Sequence, residues 1–207
     1  MTVICSFDIG IKNLAFCVAK VVNSKQINII KWTVINISDN NKLSNLTYTK
    51  LFDLCADHLD RYESLFNLCD EIIFEKQPNV NQKMKNLSTF IYSYFILKYY
   101  RTGKITKITP IDAKNKLRVY TGPYVECTIK DKYRKNKILG IAYASYYARN
   151  NSYFSACFKD KRKKMDDFSD CFLQLLWYIN RYKCKMDLDE FQIKQQITGL
   201  VRRKQIN

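Results

Sequence analysis

The chain has 207 residues, 47% of them hydrophobic and 14% aromatic, which suits one folded domain with a sizeable core. Lys and Arg (35) outnumber Asp and Glu (19), for a net charge of +16 and a pI of about 9.5. No long apolar run or basic amphipathic helix argues for a membrane, and eight cysteines without a CxxC pair, beside a single histidine, argue against a zinc site or a disulfide scaffold.

Residues 3–8 (VICSFD) read as a buried strand ending on a carboxylate, with Gly10 allowing a tight turn after it. Residues 14–22 and 26–37 read as second and third strands, joined through the polar stretch 23–25, so that a three-stranded antiparallel meander opens the fold. After a polar loop at 38–45, the spacing of Leu51, Leu54, Cys55, Leu59, Tyr62 and Leu65 predicts a helix over 46–68. Ile72, Ile73 and Phe74 form a short buried strand closed by Glu75, and Pro78 ends that segment. A broad apolar face predicts a helix over 82–101, followed by a strand at 103–110; strand, helix, strand is a βαβ unit, so these strands are parallel. Residues 111–130 read as an exposed, mobile loop that touches substrate, with a possible helical turn at 112–116. A helix follows at 131–149, then a polar loop at 150–164. The final stretch, 186–207, reads as an amphipathic helix with a basic tail, appended to a main domain of residues 1–185.

Charge is uneven: residues 98–164 hold 18 of the 35 basic residues but only 4 of the 19 acids. Such a block points to phosphate backbones and to salt-sensitive binding. Directly after it, in KDKRKKMDDFSDCFLQLLWYI, Asp167 and Asp170 are three residues apart and share one face of a helix whose buried side is Phe168, Cys171, Phe172, Leu175, Leu176 and Ile179. Acids in a first helical turn are also favoured by the helix dipole alone. The start MTVICSFDIG reads as a strand, so neither a signal peptide nor a transit segment is expected, and the cysteines read as reduced core thiols of a cytosol-like compartment.

Three segments resemble one family. FDIGIKNLAF (7–16), IIFEKQPNVN (72–81) and KKMDDFSDCF (163–172) are similar to the motifs of Holliday junction resolvases of the RuvC superfamily, in the branch shared by mitochondria and poxviruses. The resemblance implies an α/β, ribonuclease H-like mixed five-stranded sheet, with strands 1–3 antiparallel and strands 4–5 parallel, flanked by helices. It implies that Asp8, Glu75, Asp167 and Asp170 hold two Mg2+ ions, with Mn2+ able to substitute, since Mg2+ takes hard oxygen ligands. Asp166 competes with Asp167 and is read as a supporting or capping acid. The family also implies a catalytic lysine on the preceding helix, for which Lys137 is chosen ahead of Lys135. Lys12 and Asn13 after Asp8, Gln77 and Asn81 after Glu75, and Lys161, Arg162 and Lys163 before the acidic helix are candidate DNA contacts. Tyr120, Tyr124 and Tyr133 lie in or beside the basic block.

The implied function is paired symmetric nicking of four-way DNA junctions by a homodimer, in recombination and the processing of branched or concatemeric replication intermediates, with no small-molecule cofactor. If the source is a virus, the host cytoplasm at sites of viral DNA replication is the expected location. DIGIKN also resembles the first phosphate loop of sugar kinases and actin-like ATPases, but five scattered glycines form no second phosphate loop. A flap or RNA–DNA hybrid nuclease, or a non-catalytic DNA-binding module, are the other readings.

Overall fold

The computed structural model describes residues 1–39, 42, 45–77, 81–159 and 164–196. β1 (Val3–Ile9), β2 (Asn13–Asn23) and β3 (Gln26–Asn36) form the antiparallel meander. β4 (Glu71–Glu75) pairs parallel to β1, and β5 (Lys107–Ile111) parallel to β4. A sixth strand, β6 (Gln192–Gln195), pairs parallel to β3, giving the order β5-β4-β1-β2-β3-β6. The expected antiparallel-then-parallel sheet is present, with one strand more at the β3 edge.

The two-residue period of the strands divides the core into two layers. Cys5, Phe7 and Ile9 of β1 and Leu14, Phe16 and Val18 of β2 face α1 (Tyr48–Asp60), α2 (Glu63–Phe66) and α3 (Gln82–Phe95). Phe7 is the hub of that layer, with Phe16, Phe66 and Phe95 rings 5.3–5.8 Å away. On the other face lie α4 (Lys132–Ala148), α5 (Ser152–Lys159) and α6 (Met165–Tyr182). Here β2 presents Ala15, Cys17 and Ala19, with Val21 towards its end, and the three small side chains let α6 settle close across the meander.

Polar and aromatic contacts then fix how α6 lies. Trp32 of β3 stacks on Phe168 and Phe172, with centroids 4.1 and 4.4 Å away, and its Nε1 donates to the Phe168 carbonyl at 2.7 Å. One turn past Asp170, the buried Gln174 donates through Nε2 to Ser6 Oγ and to the Phe7 carbonyl, both at 3.1 Å. At the far end Tyr178 Oη donates to Glu71 Oε2 at 2.9 Å, and Lys183 pairs with the same carboxylate. Three points along α6 are thus tied to three strands.

Several expected elements differ. The single helix at 46–68 is two, broken at Arg61–Tyr62, and the helix at 82–101 continues past α3 as a π turn, Ile96–Tyr100. The polar loop at 150–164 contains α5, because Phe154, Cys157 and Phe158 share a helical face that packs toward Trp32. The expected C-terminal helix is not helical in its described part: Phe191 and Ile193 alternate inward, and β6 forms where the exposed edge of β3 supplies backbone partners. Residues 197–207, with the basic tail, lie outside the described residues. The expected loop at 111–130 begins with a seven-residue 3-10 helix, Ala113–Val119, in which Asn115, Lys116 and Val119 are buried.

Candidate active site

The site lies at the ends of β1 and β4, beneath the start of α6. Asp8 is the next-to-last residue of β1 and, like Ile4 and Ser6, faces α6. The turn after it is tight: a Cβ on Gly10 would fall 2.5 Å from the Asn13 carbonyl oxygen, so only glycine permits that backbone approach. Glu75 closes β4 on the same face as Ile73. Asp170 arrives from the second turn of α6. Oxygens of Asp8, Glu75 and Asp170 lie within 4.8 Å of one another, a spacing at which one divalent cation can reach all three. Gly140 of α4 faces this point, its ideal Cβ position 3.4 Å from Asp170 Oδ1, so α4 closes the site from the side.

Lys116, which the sequence reading did not single out, reaches into the cluster from the 3-10 helix. Its Nζ lies 2.8 Å from Asp170 Oδ2 and 3.4 Å from Asp8 Oδ1, and pairs with Glu75 Oε2. Its side chain is only 7% exposed. Burial disfavours its charge, but the carboxylates of Asp8, Asp170 and Glu75 outweigh this and hold its pKa above the ordinary lysine value. Burial likewise pushes Asp8 up to about 7; Lys116 opposes the shift, while Glu75 and Asp167 add to it. Asp170 rises to about 6 for the same leading reason, with Asp8 and Asp167 reinforcing it against Lys116. Three crowded carboxylates and one ammonium leave a site of net negative charge, lined by hard oxygen donors; that donor set fits a hard divalent cation and not a thiophilic metal.

The other expected residues are distributed around this centre. Asp167 lies one helical turn before Asp170, outside the three-carboxylate group, with Lys164 Nζ 2.8 Å from its Oδ2; its charge still reaches Asp8 and Asp170. Asp166 turns to α4, where Lys137 Nζ lies 2.5 Å from its Oδ2. Burial would raise Asp166, but Lys137 and then Lys164 hold its carboxyl below the usual range. Lys137 therefore stands at the margin, bound to Asp166, and Lys116 is the lysine among the three carboxylates. Lys135 and Lys12 are exposed, and Asn13 opens β2 opposite Asn36. Gln77 makes a long 3.5 Å contact to the Glu75 carbonyl, and Asn81 caps α3 by accepting from the Met84 amide at 3.1 Å. Lys161, Arg162 and Lys163 lie outside the described residues.

Lys116 was hard to find because Lys114, Lys116 and Arg118 alternate in one basic run. Ile111 and Val119 bind the segment to the core, but they flank all three basic residues alike.

Residues 2–181 match the family described as Poxvirus A22 protein. An uncharacterised protein of Acanthamoeba polyphaga mimivirus is 29% identical over 154 residues; the match covers 68% of this chain but 36% of that relative, so the chain spans about a third of its length. Among solved structures, the fowlpox virus resolvase in complex with Holliday junction DNA aligns at a TM-score of 0.58 and 23% identity, over 86% of this chain and 97% of that one. The yeast mitochondrial Holliday junction resolvase aligns at 0.59 and 14%, over 86% and 78%. Thermus thermophilus RuvC with its junction substrate aligns at 0.50 and 9%, over 87% and 96%. These likenesses show a shared fold, and the expected ribonuclease H-like sheet is the one they have in common. Since the family match extends from the start of β1 to the last turn of α6 and takes in every carboxylate of the site, the chain belongs to the Poxvirus A22 protein family.

Proposed function

We propose that the protein is a metal-dependent endodeoxyribonuclease that resolves four-way DNA junctions by paired symmetric nicks. The observation that carries this reading is the convergence of Asp8, Glu75 and Asp170, from two strands and a helix, on one point in a resolvase fold. Asp8, Glu75 and Asp170, with Asp167 beside them, would hold two Mg2+ ions, Mn2+ being able to replace them. When bound, such ions supply an activated water and neutralise the charge on the phosphate being cut. The chain's own residues do the rest. Gln174 and the Gly10 turn hold the carboxylates in register. Lys116 balances their charge while no cation is present, and its ammonium is placed to meet an anionic phosphate once cations bind the acids. Lys137 and Lys164, at the margin, offer further positive charge to the strand.

Resolution requires two cuts related by symmetry, so a homodimer with its two sites on one basic surface is the working assembly. Basic residues of the chain, including Lys12, Lys135, Lys161, Arg162 and Lys163, together with Asn13, Gln77 and Asn81, would hold the junction arms through their phosphates. Among the described residues no helix is long and apolar enough to cross a membrane. For a member of a poxvirus family, the host cytoplasm at sites of viral DNA replication is the proposed location.

The test is a cleavage assay on end-labelled four-way junction, flap, linear duplex and RNA–DNA hybrid in Mg2+, with Asp8→Asn in parallel. Paired nicks on the junction alone, lost in Asp8→Asn while binding persists, are the expected result. Cutting of the flap or hybrid instead would keep the chemistry and replace the substrate. Binding by both proteins with no cutting by either would overturn the nuclease reading.

A further inference from the structure

α4 and α6 lie side by side and run in the same direction: Lys137 of α4 meets Asp166 of α6, and Gly140 faces Asp170 one turn on. Lys137 is the sixth residue of α4, whereas Asp166 is the second of α6. The start of α4 therefore overhangs the start of α6, by roughly 6 Å at the helical rise per residue. Residues 131–136 of this overhang are all exposed. It is nevertheless well formed, because Asp131 Oδ1 accepts the Arg134 amide at 2.7 Å and the Asp131 carbonyl accepts that of Lys135 at 2.9 Å.

Tyr133 stands on this capped turn, 69% exposed. Lys137 Nζ sits 4.8 Å from its ring centroid, and the same ammonium is fixed by Asp166. The chain Asp166–Lys137–Tyr133 thus orients an aromatic ring at the margin of the site, next to the start of α6, and sets a cation against it. Among the described residues, Lys132, Arg134 and Lys135 on either side form no ion pair. A large ring left in water adds nothing to the core, whereas an oriented ring among uncommitted cations is the composition of a surface that binds single-stranded nucleic acid.

Resting on the nuclease reading above, we propose that Tyr133 is a stacking residue that receives an unpaired base of the strand entering the site and so favours branched over linear DNA. Every base has a π face, so such a contact tolerates any sequence. In a continuous duplex that face is covered by the neighbouring pairs. At a branch point the pairs flanking the exchange are the easiest to open, and a ring waiting there gains a contact that linear DNA does not offer.

The test compares Tyr133→Phe, Tyr133→Leu and Tyr133→Ala with wild type, and uses Tyr48→Ala as an exposed-tyrosine control on the opposite face of the sheet. Binding is measured in the Asp8→Asn background, to a four-way junction with 2-aminopurine beside the crossover and to a linear duplex of the same sequence. With Tyr133 present, and equally in the Tyr133→Phe variant, binding quenches the probe. Tyr133→Ala and Tyr133→Leu lose the quench and bind the junction about tenfold more weakly, near the low end of what one stacked base contributes, while duplex affinity changes less than twofold. Unfolding temperatures stay unchanged. Equal losses on junction and duplex, or full junction affinity and quench in the Leu or Ala variant, would overturn the proposal. The nuclease reading fails separately: wild-type protein that cuts no junction would sink it, and the quench would still decide the role of Tyr133.

Discussion

A buried ammonium among three carboxylates is held in place only while their charges stay uncompensated by anything else. Lys116 is in that position: nearly enclosed, it touches Asp8, Glu75 and Asp170 at once. Replacing it by methionine keeps much of its volume and removes the only cation within reach of all three acids among the described residues. Breaking a buried charge group by deleting one partner costs about 3 kcal/mol or more, so metal-free Lys116→Met should unfold at markedly lower urea concentration. A divalent cation should bind this variant at least tenfold more tightly than wild type, since it no longer competes with an ammonium, and should restore its stability. DNA cleavage should fall. Tighter Mn2+ binding by calorimetry together with slower cutting is the expected signature; weaker Mn2+ binding would show that Lys116 organises the acids rather than competing for them. Protons compete as well. Asp8, at about 7, and Asp170, at about 6, are both raised by burial above the ordinary carboxyl value, so the folded state holds protons that the unfolded chain has released. Their contribution to metal-free stability is therefore complete below about pH 4 and is lost as pH rises towards 7. Ligation runs the other way, because it needs both groups deprotonated. Apparent Mn2+ affinity should climb steeply between pH 5.5 and 7.5, on the order of the window these two groups define, and level off above it. A flat profile across that range would show that the two carboxyls are already ionised in the folded protein.

At the scale of elements, α6 works because Gln174 fixes its register against β1. Its amide bonds the Phe7 carbonyl, the residue before Asp8, one helical turn beyond Asp170. Gln174→Leu fills the same space and breaks both hydrogen bonds. The loss should be about 2 kcal/mol by urea denaturation, with Mn2+ affinity falling as Asp170 drifts from Asp8. Reduced stability with unchanged Mn2+ affinity would limit Gln174 to a packing role. The elements that carry acids were legible in the sequence for a physical reason. A carboxylate closing a run such as VICSF or IIF stands at a strand end, and Asp167 and Asp170 share a helical face by spacing alone. Other elements were legible but passed over: Phe154, Cys157 and Phe158 have helical spacing, and Phe191 and Ile193 have strand spacing. Lys116 was not legible in the same way, because nothing local separates a buried lysine from the exposed ones beside it. Its burial follows from the 3-10 helix docking on α6, a tertiary event. The choice of Lys137 followed helix position; its partner Asp166 depends on the lateral alignment of α4 and α6, which no single segment encodes.

For the whole molecule, the proposed pairing of two sites needs a surface that can join two copies. α3 and the π turn after it supply a candidate. The turn closes through the Arg101 amide to the Ile96 carbonyl, one residue wider than an α-helical turn. Tyr99 is buried there, while Tyr92, Leu97 and Tyr100 remain 37%, 62% and 50% exposed on the outside. These three lie on the sheet face opposite α6, so a two-fold contact through them would leave both carboxylate clusters free for DNA. Two like charges placed in such a contact would face their own copies across the axis and oppose association. The double variant Leu97→Asp/Tyr100→Asp should therefore be monomeric by light scattering at concentrations where wild type is dimeric, with little change in unfolding temperature because both positions are exposed. Its Mn2+ affinity should match wild type, since the acids are on the other face. On a supercoiled plasmid that extrudes a cruciform, wild type should give linear product, as both strands are cut before release. The double variant should give nicked circles, each site acting once and alone. Persistence of the dimer would place the interface elsewhere. Monomeric wild-type protein, with and without junction DNA, would remove the homodimer from the proposed mechanism, and linear product from the monomeric variant would show that one site can make both cuts in turn.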